Sequence, residues 1–169
     1  MKNPEIRAWG VTIGFALVGI FAFFFLAPDT HIVWPDTLFY AVIVFNTFFS
    51  VRLFARVTPP SFWQTIVDST LVLSYVALAL AIGREWAFPF FALCIFIAAV
   101  AKYTLMLRIV PHEKLLKRKI TIDILGVALC TVTLGIALTG WILTSAWFLA
   151  AVFTLSNVYL LLIRPMYRM

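Results

Sequence analysis

The sequence predicts an all-α, polytopic membrane protein with six transmembrane helices, and three observations lead to this prediction. Hydrophobic residues make up 64% of the 169 positions, and the mean hydropathy is +1.06. Charged residues make up 12%, about half the share that is usual in soluble domains. Six apolar segments each reach the roughly 20 residues that a helix needs to cross a bilayer. These observations exclude a soluble enzyme, a disordered tail and a nucleic-acid-binding domain.

The six segments use nearly the whole chain, so we expect residues 1–169 to form a single transmembrane domain. The predicted spans are Trp9–Ala27, Thr37–Arg56, Gln64–Gly83, Ala87–Arg108, Ile120–Gly140 and Ile142–Ile163. Proline and glycine mark most of the boundaries, and Pro89 is tolerated because it falls in the first turn of a helix. We interpret the first span as a retained helix, because it is too long for a signal peptide and has no small-residue cleavage site.

The distribution of basic residues predicts the orientation. If the N-terminus is inside, all but one of the 13 Lys and Arg residues fall on the inner side, and the exception is Arg84. Cytoplasmic connections carry an excess of Lys and Arg. We therefore expect an integral protein of the bacterial cytoplasmic (inner) membrane with both termini in the cytoplasm.

The spans group into three helical hairpins, at about residues 9–56, 64–108 and 120–163, with landmarks at nearly constant spacing. Arg52, Arg108 and Arg164 follow one another at intervals of 56 residues, and Asp68 and Asp123 are 55 apart. These intervals predict a threefold hairpin pseudo-repeat. The alternative is that any multi-span protein places arginine at its inner helix ends.

Two carboxylates lie near the predicted inner ends of their helices, where the helix dipole favours negative charge. We expect them to form a cytoplasmic ion-pair belt in which each lies within ion-pair reach of an Arg or Lys, such as Lys119, from a neighbouring helix end or inner loop. The predicted belt consists of Arg52, Arg56, Asp68, Arg108, Asp123 and Arg164. The alternative interpretation is a proton or cation relay, because ionisable groups inside a membrane are costly and often functional.

Four polar residues lie deeper in the apolar spans and are the candidates for a ligand pocket. They are Asn46, Tyr75, Lys102 and Asn157. An amide in the middle of a span must face another helix, a cavity or a ligand. Simple packing hydrogen bonds are the alternative for the two asparagines. The long side chain of Lys102 could also extend towards the inner headgroups.

The polar stretch Pro111–Lys119 carries four basic residues, which are Lys114, Lys117, Arg118 and Lys119. We expect this loop to lie beside the inner membrane face and to bind anionic lipid headgroups or an acidic partner protein. The alternative is that the loop serves only as a topology signal.

The sequence contains none of the HExxH, GxSxG, CxxC or P-loop motifs that carry common chemistries. We therefore predict no catalytic residue, no metal site, no cofactor and no nucleic-acid partner. The favoured function is a non-enzymatic membrane subunit or sensor that packs against protein partners or binds an apolar or amphipathic ligand. The alternatives are a small oligomeric transporter or channel and a lipid-modifying enzyme.

Overall fold

The computed structural model describes residues 3–55, 61–109 and 113–163, and these residues form six long α-helices. The helices are α1 (Pro4–Phe25), α2 (Val33–Phe54), α3 (Phe62–Leu80), α4 (Ala87–Leu107), α5 (Glu113–Leu138) and α6 (Ile142–Val158), and α6 continues into a short π-helix (Tyr159–Ile163). All six are long and apolar enough to cross a membrane, which suggests an integral membrane protein. The predicted all-helical class and the six potential spans are confirmed.

The first two helices begin earlier than the sequence predicts, because proline fits the first turn of a helix. Pro4 is the first residue of α1, and the side chain of Asn3 accepts a hydrogen bond from the backbone N–H of Glu5 at 3.0 Å. Helix α2 begins at Val33, with Pro35 inside its first turn. Proline therefore starts these helices rather than separating them.

The basic stretch before residue 120 belongs to helix α5 and not to a loop. Helix α5 begins at Glu113, and Lys117 Nζ lies 2.5 Å from Glu113 Oε1 one turn further along. Such i,i+4 pairs stabilise exposed helical turns. The predicted loop Pro111–Lys119 is thus largely helical, while its first two residues lie outside the described part of the chain.

Each helix packs chiefly against two others, so the six helices form a ring in the order α1, α2, α6, α5, α4, α3. The contacts of α2 with α6 and of α3 with α1 close this ring. Glycine allows one of the close approaches, since a Cβ atom added at Gly126 on α5 would lie 2.5 Å from the ring of Phe96 on α4.

One half of the ring has an aromatic centre. The ring of Phe39 on α2 lies 5.6 Å from that of Phe88 on α4 and 4.4 Å from that of Phe153 on α6. At the same end, the carboxylate of Asp36 is buried and accepts a hydrogen bond from the backbone N–H of Gly83 at 3.0 Å. Gly83 has a φ of 76°, a left-handed conformation that favours glycine. Aromatic packing and a buried hydrogen bond therefore join the helices at this end of the bundle.

Candidate functional site

The other half of the bundle contains a cavity of about 640 Å³. It lies at the end where α1, α3 and α5 begin and where α2 and α4 end, and we call this the basic end. Residues of these five helices line the cavity, whereas none of its lining residues comes from α6. A cavity of this volume is within the usual range for small-molecule sites.

The cavity wall is built from stripes of residues spaced three or four apart, which is the spacing that places side chains on one helical face. On α2 the stripe contains Asn46, Thr47 and Ser50, and on α3 it contains Gln64 and Asp68. Each stripe mixes polar and apolar residues. The sequence therefore brings polar groups from several spans to one place inside an otherwise apolar bundle.

An ion pair joins two of these helices. Lys102 Nζ on α4 lies 2.7 Å from Asp68 Oδ1 on α3. The amide of Gln64 also donates to this oxygen at 3.4 Å. The side chain of Asp68 remains about half exposed, at 48%. A ligand in the cavity could therefore still reach this carboxylate.

A second ion pair is almost completely buried. Lys119 Nζ lies 2.6 Å from Asp123 Oδ1 on the same helix, and the side chains are 8% and 1% exposed. Lys119 Nζ also lies 5.5 Å from the centre of the Tyr103 ring. The second carboxylate oxygen of Asp123 is buried and has no hydrogen-bond partner in the described part of the chain. Removing two charges from water costs free energy, so the burial of this ion pair lowers the stability of the fold.

Two pairs of hydroxyl groups also cross between helices in the cavity wall. The Tyr75 hydroxyl lies 2.5 Å from Oγ1 of Thr47, and Thr47 itself donates to the Ile43 carbonyl at 2.8 Å. Either hydroxyl can donate in the contact between Tyr75 and Thr47. The hydroxyls of Ser50 and Tyr103 lie 2.7 Å apart. These bonds hold polar groups at fixed positions around the cavity.

The structure brings together three of the four residues that the sequence suggested for a pocket. Asn46, Tyr75 and Lys102 all line the cavity. Asn157 is buried on α6 and donates to the carbonyl of Phe153 on its own helix at 2.9 Å. It lies outside the cavity and satisfies its amide locally.

The residues of the predicted ion-pair belt are described in part. Both aspartates pair with lysines, as given above. Arg52 Nη2 instead lies 2.6 Å from Glu5 Oε1, and both side chains are about half exposed. Arg108 is exposed at the end of α4. Arg56 and Arg164 lie outside the described residues. Of the predicted belt arginines that the structure describes, neither Arg52 nor Arg108 forms an ion pair with Asp68 or Asp123.

The basic residues expected to face lipid divide into two groups. Lys114, Lys117 and Arg118 are exposed on the first turns of α5. Lys119 is buried against Asp123 and belongs to the cavity wall. A helix turns by about 100° per residue, so Lys119 points to a different side of α5 from its exposed neighbour Arg118.

Several cavity residues were not singled out from the sequence, among them Thr47, Ser50, Gln64 and Tyr103. The sequence pattern that could have indicated them was present but weak. Ser50 lies four residues after Asn46 and three after Thr47, so it shares a helical face with each of them. Serine and threonine are common in apolar helices because they can bond to their own backbone. Their spacing alone therefore carries little information about a site.

Within residues 3–55, 61–109 and 113–163, no three His, Cys, Asp or Glu side chains lie close enough together to hold a metal ion. The groups around the cavity are instead hydroxyls, amides, carboxylates and ammonium groups, which suit hydrogen bonding to a polar molecule. No family model, no curated protein and no solved structure matches this chain.

Proposed function

We propose that the protein is a non-enzymatic integral membrane module that binds an amphipathic ligand in the basic-end cavity. The observation that supports this proposal is the convergence of charged and polar side chains from five helices on one cavity of about 640 Å³. Ionisable groups inside membrane helices are costly, and they commonly face a partner, a substrate or water. The apolar residues between them would contact the apolar part of the ligand.

The experiment places a large side chain in the cavity and measures whether a bound molecule is lost. Ala99 lines the cavity on α4, and Ala101 on the same helix is exposed on another face. Native mass spectrometry of the full chain, purified from its membrane, should show a bound small molecule. We expect the Ala99→Trp variant to lose this molecule and the matched Ala101→Trp variant to keep it. Equal retention by both variants, or no bound molecule in the unaltered protein, would contradict the proposal.

A small oligomeric transporter is the second candidate, and one feature favours it. The cavity lies at one end of the bundle, and aromatic packing and the Asp36–Gly83 hydrogen bond join the helices at the other end. A binding site accessible from one side is one state of an alternating-access cycle. Ligand flux into sealed vesicles containing the protein would favour transport over binding alone.

We also propose the orientation and internal organisation of the chain. The basic end faces the cytoplasm of a bacterial cell, both termini lie on that side, and the helices form three hairpins related by a pseudo-repeat. The excess of Lys and Arg supports this orientation, and consecutive helices α1–α2, α3–α4 and α5–α6 are in contact. Reporter fusions after His31, Gly83 and Gly140 should read outside, and those after Pro60 and Lys117 should read inside.

The exposed basic residues at the start of α5 give a further proposal about partners. Lys114, Lys117 and Arg118 contact anionic lipid headgroups of the inner leaflet. Each basic residue near such a surface contributes about 1 kcal/mol of attraction. Replacing all three with glutamine should reduce the anionic lipid that co-purifies with the protein. Unchanged lipid content would favour an acidic protein partner or a role in topology alone.

A further inference from the structure

The lining of the cavity includes exposed residues of α1 and α3, which indicates an opening on the side of the bundle between these two helices. Arg7 and Val11 line the cavity from α1, and Thr65 and Val72 line it from α3. All four are exposed, and Val11 and Val72 have exposed fractions of 36% and 48%. Beyond them, the rings of Phe15 and Tyr75 stack at 4.5 Å and join the two helices. The gap is thus open at the basic end and closed at the aromatic pair.

This opening extends to a depth at which lipid chains surround the protein. Val11 lies seven residues into α1, roughly 10 Å along the helix, and Val72 lies ten residues into α3, roughly 15 Å along it. The hydrocarbon core of a bilayer is about 30 Å thick. The edges of the opening therefore face acyl chains as well as the headgroup layer.

A site for a free acyl chain would have an apolar interior, whereas this cavity has a polar interior and apolar edges. The edges at Val11 and Val72 are apolar, whereas the interior contains the Lys102–Asp68 ion pair and the hydroxyl of Tyr75. A molecule that suits this arrangement places its polar part inside and its apolar part in the surrounding bilayer. A membrane phospholipid has this form.

The charged residues of the cavity restrict the class of lipid headgroup that it could bind. Among the described residues, the charged ones that line the cavity are Arg7, Lys102, Lys119, Asp68 and Asp123, so their positive charges exceed their negative charges by one. A phosphodiester carries a single negative charge and would balance this excess. Asp68 is half exposed and offers carboxylate oxygen to hydrogen-bond donors such as hydroxyl groups.

We propose that the cavity binds the hydroxyl-bearing headgroup of an anionic phospholipid, which enters sideways between α1 and α3 and leaves its acyl chains in the bilayer. The phosphate lies near Arg7 and Lys102, and the hydroxyl groups donate to Asp68. This inference rests on the proposed ligand-binding function and adds to it the class of ligand and the route of entry.

The experiment measures lipid binding to the full chain by native mass spectrometry, with phosphatidylglycerol and phosphatidylcholine as probes. We expect phosphatidylglycerol to bind at least about tenfold more tightly, because phosphatidylcholine has no hydroxyl donor and no net charge. The Asp68→Asn variant should reduce this preference. Equal binding of the two lipids by the unaltered protein would overturn the proposed headgroup class.

Variants at the opening test the proposed entry of the lipid between α1 and α3. Val72→Trp narrows it from α3 and Val11→Trp narrows it from α1, while Leu73→Trp adds the same ring on the outer face of α3, where Leu73 is exposed. We expect the first two variants to lose about tenfold in phosphatidylglycerol affinity and the third to lose none. Melting temperatures of all three variants show whether the fold is intact. If either Val11→Trp or Val72→Trp does not fold, the other variant still tests the route.

Two further outcomes separate this inference from the proposed function. Soluble glycerophosphoglycerol, the headgroup without acyl chains, should bind at least about tenfold more weakly than the lipid. If the soluble molecule binds as well as the lipid, and narrowing the opening has no effect, the ligand is a free polar solute and the lipid inference is wrong. If Ala99→Trp also has no effect on any bound molecule, the proposed function fails as well.

Discussion

Lys102 Nζ on α4 lies 2.7 Å from Asp68 Oδ1 on α3, and this ion pair lies in the wall of the cavity. Its geometry resembles that of the Lys119–Asp123 pair, in which the corresponding distance is 2.6 Å. The two pairs differ in burial, because the Asp68 side chain is 48% exposed and the Asp123 side chain is 1% exposed. Since burial determines what the loss of one partner costs, the pairs should respond differently to mutation.

The partly exposed pair should contribute modestly to stability. We expect Asp68→Asn to lower the free energy of unfolding by about 1 kcal/mol, because the asparagine oxygen can still accept a hydrogen bond from Lys102, whose side chain is 17% exposed. The double variant Asp68→Asn/Lys102→Gln should recover most of this loss. Equilibrium unfolding in lipid–detergent micelles measures both. A loss of several kcal/mol in the single variant would contradict the prediction.

The free energy of unfolding should be much more sensitive to replacement of one partner of the buried pair. We expect Asp123→Asn to cost about 3–5 kcal/mol, since it leaves the buried ammonium group of Lys119 without a balancing charge. Replacing both partners with apolar residues, as in Lys119→Met/Asp123→Leu, should restore stability. Glu113→Gln is the matched control, because it removes an exposed ion pair of the same i,i+4 spacing on the same helix. Equal losses in the two single variants would refute the role of burial.

The close approach of α4 and α5 predicts the effect of one added methyl group. In Gly126→Ala the new Cβ atom would lie 2.5 Å from the Phe96 ring. We expect a loss of about 1–3 kcal/mol, because the packed ring must move. Gly135→Ala is the control on the same helix, where an added Cβ atom has nothing within 4 Å. Thermal unfolding should show a lower midpoint for the first variant only.

The packed end of the bundle depends on an acceptor for the Gly83 amide. We expect Asp36→Ala to cost about 1–3 kcal/mol, since it leaves a buried N–H without a partner. Asp36→Asn should cost less, because its side-chain oxygen can still accept this hydrogen bond. Hydrogen exchange at the Gly83 amide should be faster in the alanine variant than in the asparagine variant. Equal exchange in both would indicate that water replaces the side chain.

The helices could be predicted because twenty-residue apolar runs are visible in the sequence without reference to any neighbour. Their beginnings were harder to predict where proline and charge occur inside a helix. Pro35 and the segment Glu113–Lys119 were placed outside the spans, although both are helical in the structure. Composition separates apolar from polar segments, but it does not show where a polar segment continues a helix.

The candidate site could be predicted only in part, because contacts between distant helices do not appear in a local pattern. Asn46, Tyr75 and Lys102 were suggested by their depth alone, and they line one cavity. Asn157 has a similar depth, but α6 lies beside α2 and α5 in the ring, away from the cavity. The partner of Asp68 is 34 residues away in the chain, and only the arrangement of α3 and α4 brings the two together.

The position of the cavity also affects the mechanical properties of the bundle. Closely packed interiors have low compressibility, whereas a void can shrink under pressure. The half that contains Phe39, Phe88 and Phe153 is packed, and the basic end encloses about 640 Å³. We therefore expect the basic end to be more compressible than the packed half of the bundle. In the proposed membrane orientation, a ligand that fills the cavity would make the half of the bundle at the basic end harder to compress.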